Sequence, residues 1–297
     1  MRKSIAIIIT SILVLSGCNK QQSVSDRLLN EVEKAIAINP DSASNLLKSI
    51  SSPEKLDDKA FARWCMLSGK ITDEIFNSIL PTYQLERAYD WYSSHGSPDE
   101  QVQILIYLGR SYFADGDYDK AMSIYTNALD IAGKNKLNNL IGYTYDYIGD
   151  LYREKFMRTE AIKRYEIAAE YFKKEKNTDS YACALRDIGR EYAQMDSLSH
   201  ALNILIIADS VAANTSNINV TASINNALGN IYSMQNKYDK AEEYLLKALL
   251  TGREKMPDYV ALIDLYTASN SINKAKELLS KIPQDLSLIH ISEPTRL

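Results

Sequence analysis

From Ser25 onward the apolar residues of this chain recur at the three-to-four spacing that lines one face of an α-helix. Nowhere do they alternate one-on, one-off, as a half-buried strand requires. Breaks in the pattern fall at Asn39-Pro40, Ser52-Pro53, Leu80-Pro81, Gly96-Ser97-Pro98 and Met256-Pro257, where proline or glycine stops a helix. The pattern predicts helix pairs at 25–37 with 40–50, 57–78 with 82–94, 99–115 with 118–133 and 138–155 with 158–175. It continues with 178–194 and 198–213, then 217–235 and 238–252, and closes with 257–268 and 271–282. Loops this short demand antiparallel neighbours, so the expected fold is all-α, built of about seven helical hairpins.

The hairpins are copies of one another. Gly109, Gly149, Gly189 and Gly229 stand 40 residues apart, each followed at fixed offsets by the same residues. These are Tyr112, Tyr152, Tyr192 and Tyr232, then Ala121, Ala161, Ala201 and Ala241, then Ala128, Ala168, Ala208 and Ala248. The last pair drops to a 34-residue step, from Tyr232 to Tyr266 and from Ala241 to Ala275. A fixed period of this kind marks a solenoid made of one supersecondary unit. Glycine inside a helix costs roughly 1 kcal/mol relative to alanine, so four in register need a packing reason. Close approach of the second helix supplies it, with the alanines as small surfaces and Tyr112 and its equivalents expected to fill the gap between the pair.

Leu105, Leu108, Gly109, Tyr112, Ala121, Tyr125 and Ala128 resemble the tetratricopeptide repeat (TPR) pattern. Further copies are Tyr145, Ile148, Gly149, Tyr152, Ala161, Tyr165 and Ala168, and Leu185, Ile188, Gly189, Tyr192, Ala201, Leu205 and Ala208. A fourth has Leu228, Gly229, Tyr232, Ala241, Leu245 and Ala248. The 40-residue step and the missing proline at the end of the first four copies depart from the family. The resemblance implies a right-handed superhelical solenoid over 99–282, with 26–98 as degenerate copies. It also implies an inner wall of first helices. The family's groove-facing positions map to Arg110, Tyr143, Asp146, Asp150, Arg186, Arg190, Asn226 and Asn230, with Gln103, Ile106, Cys183 and Ser223 beside them. Asparagine can grip peptide amides and arginine can take carboxylates, so the expected partner is a protein or extended peptide. Arg186 and Arg190, one turn apart, could share one acidic group. Equally open is a solvated face on which Asp146 and Asp150 pair with the arginines. The pattern does not match the Lys/Asn clamp of chaperone-binding TPR domains.

The two ends of the chain carry different signals. Arg2 and Lys3, the apolar stretch Ile5 to Leu15 and the small residues after it predict a secretory leader rather than a membrane span. Val14-Leu15-Ser16-Gly17-Cys18 resembles the bacterial lipobox. That implies a signal peptide over 1–17, lipid attachment at Cys18, and a tether over 18–25. The implied location is the cell envelope, on the inner or outer membrane and facing the periplasm. Buried acyl methylenes contribute ~0.8 kcal/mol each to such an anchor. The tail, 283–297, fits neither the repeat nor a helix stop, and LSLIHISEPTRL over 286–297 resembles a translated sequencing-library adapter.

Charge and side-chain chemistry narrow the function. A formal net charge of −4 without clustered lysine and arginine argues against nucleic acid. Cys65 and Cys183 lie in helical patterns without disulfide or metal spacing and read as small core residues. His95, at a helix end, and His200, early in a second helix, read as structural. No phosphate loop, metal motif or nucleophile-with-base arrangement is present, so no catalytic residue, metal or cofactor is expected. The expected function is a membrane-anchored, non-enzymatic TPR scaffold or sensor that binds protein or peptide. Two alternatives stand beside it. One is a nutrient- or glycan-binding lipoprotein next to an outer-membrane transporter, which would need exposed aromatic residues on one surface; Trp64 and Trp91 instead lie within helical patterns. The other is the sensor part of a longer regulatory protein.

Overall fold

The computed structural model describes residues 25–75, 79–253 and 255–282. Its helices are α1 (25–36), α2 (Pro40–Lys48), α3 (Asp58–Ile75), α4 (Thr82–His95), α5 (Pro98–Ala114), α6 (Tyr118–Asn135) and α7 (Asn138–Glu154). They continue as α8 (Arg158–Lys174), α9 (Thr178–Gln194), α10 (Leu198–Ala212), α11 (Ile218–Met234), α12 (Tyr238–Thr251), α13 (Met256–Ala268) and α14 (Ile272–Lys281). Among the described residues there is no strand. The seven expected pairs are present, and a short 3₁₀ turn, Pro53–Lys55, joins α2 to α3.

Local chemistry sets the helix ends. Ser97 and Glu100 form a reciprocal capping box before α5, with Pro98 in the first turn. Asp117 and Asn177 accept from the backbone of Lys120 and Ser180 to start α6 and α9. First helices end on a residue in the left-handed region at the same place in each copy: Gly116, Phe156, Asp196, Asn236 and Asn270. The next residue then donates its N–H back to the carbonyl of the repeat tyrosine, as from Met157 to Tyr152 and Ser197 to Tyr192, both at 2.9 Å. This six-residue closure meets a carbonyl the helix end would otherwise leave bare. It turns the chain between the first and second helix of each of these hairpins.

The helices form two compact units, one ending at Leu140 and the other beginning at Ile141. In the first, α1, α2 and α3 enclose Leu29, Val32, Leu47 and Leu67, while α3, α4 and α5 enclose Phe61, Cys65, Leu85, Tyr92 and Ile104. In the second, Tyr165, Leu185, Leu205, Ile224 and Leu228 fill the space between α8 and α11, and Leu245, Leu262 and Leu265 that between α12 and α13. First helices lie side by side: α3 on α5 in the first unit, α9 on α11 and α11 on α13 in the second.

Within each long-period hairpin the close approach is a glycine under a side chain. A Cβ at Gly109 or Gly149 would overlap the ring of Tyr125 or Tyr165, and at Gly189 or Gly229 it would lie 2.8 or 2.6 Å from Cγ of Leu205 or Leu245. The gap is thus filled from the second helix, not by Tyr112, Tyr152, Tyr192 and Tyr232 as expected. Those tyrosines line the hairpin edge, where Lys120, Arg164 and Lys240 sit over Tyr112, Tyr152 and Tyr232 and His200 stacks on Tyr192. The eight repeat alanines, from Ala121 to Ala248, are fully buried. Gly69 extends the glycine series one period toward the N-terminus and seats the ring of Tyr107. The last hairpin shows the converse. Ile263 takes the glycine's place there, and Leu279, the equivalent of Leu245, is left 53% exposed.

Gly149→Ala is expected to lower stability by about 1–3 kcal/mol through overpacking against a buried ring. Gly133→Ala, in α6 with nothing near its Cβ, is expected to raise it by up to ~1 kcal/mol. Urea titration of both variants checks the contrast, and equal effects would contradict the close-approach argument.

Candidate functional site

Cys18 and the 286–297 string lie outside the described residues. Of the expected groove residues, Arg110 belongs to the first unit, where it forms an ion pair with Asp73. Tyr107 donates to the same carboxylate at 2.9 Å. The other seven belong to the second unit, on first helices in 40-residue register. Asp146 (α7), Arg186 (α9) and Asn226 (α11) occupy one row, and Asp150, Arg190 and Asn230 the next, one helical turn along.

The structure ties these positions into one polar network. Tyr143 accepts hydrogen bonds from Asn177 at 3.1 Å and Ser180 at 2.9 Å, which fastens α7 to the start of α9. Asp150 pairs with Arg153 at 2.6 Å and accepts from the Tyr165 hydroxyl at 2.7 Å. Arg186 meets Asp187 with two bonds, 3.0 and 2.7 Å, and donates to Ser223 at 3.0 Å. Arg190 reaches the same Asp187 at 3.4 Å. The two arginines therefore do share an acid, and it is one of the chain's own. On α11, Asn226 donates to buried Asp258 of α13 at 2.7 Å, and Asn230 donates to Asn226 at 3.0 Å. Glu191, buried, holds Arg158 at 3.0 Å.

Arg153, Tyr165, Asp187 and Glu191 were not among the expected site residues. Tyr165 was visible as a core position, and nothing in a helical repeat says that the hydroxyl of a core ring emerges among charges. Asp187 follows Arg186 directly, a spacing that does not bring helix neighbours together on one face. Only the guanidinium folding back reveals the pair. Cys183 is not a plain core residue either: it is half-buried in this network, with Arg186 Nη1 3.6 Å from its sulfur. His95 and His200 stack on Trp91 and Tyr192, and Trp64 and Trp91 lie inside α3 and α4.

Crowding and mutual charge shift the acids apart. Burial and then the neighbouring charges of Asp150 and Asp187 push Asp146 well above the usual carboxylate range. Its Oδ1 is closed off from solvent with no hydrogen-bond partner. Burial also raises Asp150, although Arg153 pulls against it. For Asp187 burial acts the same way, yet the guanidiniums of Arg186, Arg190 and Arg153 together hold this carboxyl below its ordinary value. Burial and then Arg186 bring Arg190 down to about 10, which leaves it cationic at neutral pH. Neighbouring first helices therefore hold a carboxyl whose charge is disfavoured, a well-paired carboxylate and a loosely paired guanidinium.

Because folding raises the Asp146 pKa, the folded state binds a proton that the unfolded chain releases. The stability this contributes is complete below the unfolded value near 3.9 and is lost as pH rises through the folded value. Asp146→Asn is therefore expected to be more stable than the parent at pH 7, with the advantage vanishing near pH 4. Urea titrations at the two pH values check this, and a larger advantage in acid would contradict the assignment.

TPR family models match residues 105–138 and 221–256. The chain is 32% identical over 91 residues to the photosystem I assembly protein Ycf3 of Rippkaea orientalis, covering 30% of this chain and 52% of that one. It thus spans about half the length of the curated relative it matches. Among solved structures it is similar to a Rap protein complexed with competence and sporulation factor, at a TM-score of 0.72 and 19% identity over 88% of this chain and 75% of that one. The apo quorum sensor NprR of B. thuringiensis has a TM-score of 0.56 and 15% identity over the same shares. At these identities the structural likeness speaks for the fold. The two matched segments and the glycine-seated hairpins show that this chain carries tetratricopeptide repeats within an all-α fold.

Proposed function

We propose that this chain is a lipid-anchored, non-catalytic binding module that holds an extended peptide or protein segment along the first helices of its second unit. The observation that carries this reading is the polar row on α7, α9 and α11, whose hydrogen-bonding capacity is only partly used. Asn230 spends one amide hydrogen on Asn226, and Arg190 makes a single long contact with Asp187. An extended peptide offers backbone donors and acceptors every few ångströms, and asparagine can meet both. Arg190 is exposed and Asn230 partly so, which leaves both within reach of a ligand. The likeness to a Rap protein solved with competence and sporulation factor and to a quorum sensor supports the reading. The anchor rests on Arg2, Lys3, the apolar run and Cys18, and it places the module in the cell envelope facing the periplasm.

Selection of end-blocked random hexapeptides on the immobilised chain tests the binding face. Asn230→Ala is expected to weaken the selected peptides by about 3–10-fold, the range of one hydrogen bond. Leu250→Glu, on the exposed side of α12, is expected to change nothing. Equal affinity of parent and Asn230→Ala for the selected peptides would remove the face from consideration. For the anchor, Cys18→Ala is expected to abolish incorporation of a fatty-acid probe in cells, and continued labelling would contradict it.

A further inference from the structure

Among the guanidiniums that meet acids in the second unit, Arg190 is the one held least. Arg186 is held twice by Asp187, Arg153 bridges Asp150 and the Tyr165 hydroxyl, and Arg158 is taken by Glu191. Arg190 has only the 3.4 Å contact with an Asp187 oxygen that already accepts from Arg186, and its side chain is 44% exposed. Asp146 lies nearby, its Oδ1 sealed from solvent without a donor, and burial and two neighbouring carboxyls disfavour its charged form. Arg190 is the most exposed of these four guanidiniums and makes the longest contact with an acid. In the same row on α11, Asn230 retains an amide hydrogen beyond the one given to Asn226.

We propose that this face recognises an acidic ligand: the side-chain carboxylate of an Asp or Glu within an extended peptide, with Arg190 as its charge partner and Asn230 as the adjoining amide donor. This rests on the peptide-binding reading above and names the ligand chemistry it leaves open. A guanidinium meets a carboxylate with two parallel N–H donors, and the resulting charge-assisted bonds are the strong ones. Arg190 can turn toward such a ligand by giving up one long, poorly engaged bond. Arg186 cannot, since leaving Asp187 would strand a buried carboxylate. A cationic ligand group would be repelled by the exposed Arg190 guanidinium instead.

The test uses the full chain and three sets of end-blocked, fluorescein-labelled hexapeptides, randomised except for a central Glu, Gln or Lys, read by fluorescence anisotropy. The Glu set is expected to bind about tenfold more tightly than the Gln set, as one charge-assisted hydrogen bond predicts. Arg190→Gln is expected to erase that preference, and Arg190→Lys to keep part of it, with the helical circular dichroism of both unchanged. A preference for the Lys set overturns the proposal, as does a Glu preference that survives in folded Arg190→Gln. Equal binding of all three sets overturns the acidic specificity and leaves the peptide-binding module standing. Absence of binding by every set removes both.

Discussion

The structure depends on one contact made again and again: a glycine on the first helix of a hairpin, seated beneath a side chain from the second. Each such glycine weakens its own helix by roughly 1 kcal/mol. The buried ring or leucine above it contributes about 1.5–3 kcal/mol in return, so the exchange favours the hairpin. Tyr125 and Tyr165 take the seat in two copies, Leu205 and Leu245 in the next two. In the final hairpin Ile263 stands in place of the glycine, and Leu279 remains largely in solvent. The buried alanines serve the same end, since any larger side chain there would hold the helices apart.

The same contact builds the candidate site. Tyr165 covers Gly149 with its ring and carries its hydroxyl past the core to Asp150 and Arg153. One residue therefore sets both the spacing of a hairpin and the position of the charges above it. In the next two copies leucine replaces tyrosine, and the first-helix positions beside it change from Asp146 and Asp150 to Arg186 and Arg190, then Asn226 and Asn230. A regular scaffold thus displays an irregular row of acid, base and amide. Copies that are alike where they pack and different where they face outward can read an extended ligand residue by residue.

Fold and site were not equally legible. The helix ends came from prolines, capping residues and the three-to-four apolar rhythm, and they agree with the structure to within a few residues. The glycine at Gly69 was obscured, because Thr72 and Pro81 stand where later copies have Tyr and Ala. Tyr112 and its equivalents were placed between the helices from their regular spacing alone. The ring that belongs there comes from sixteen residues after the glycine, on the partner helix. A period identifies which residues are equivalent, and it does not say which surface each one meets.

By itself, the order of residues determined an all-α chain of nested hairpins, their lengths and their step, since helix periodicity, caps and breakers act between near neighbours. It also located the row of first-helix positions, because register carries from copy to copy. Only the tertiary structure decided that Arg186 is firmly held by Asp187 while Arg190 is held loosely, that one oxygen of Asp146 is cut off from solvent, and that Tyr165 belongs to core and site at once. Those outcomes depend on how long side chains share space and charge across helices tens of residues apart in sequence. No local pattern records that competition.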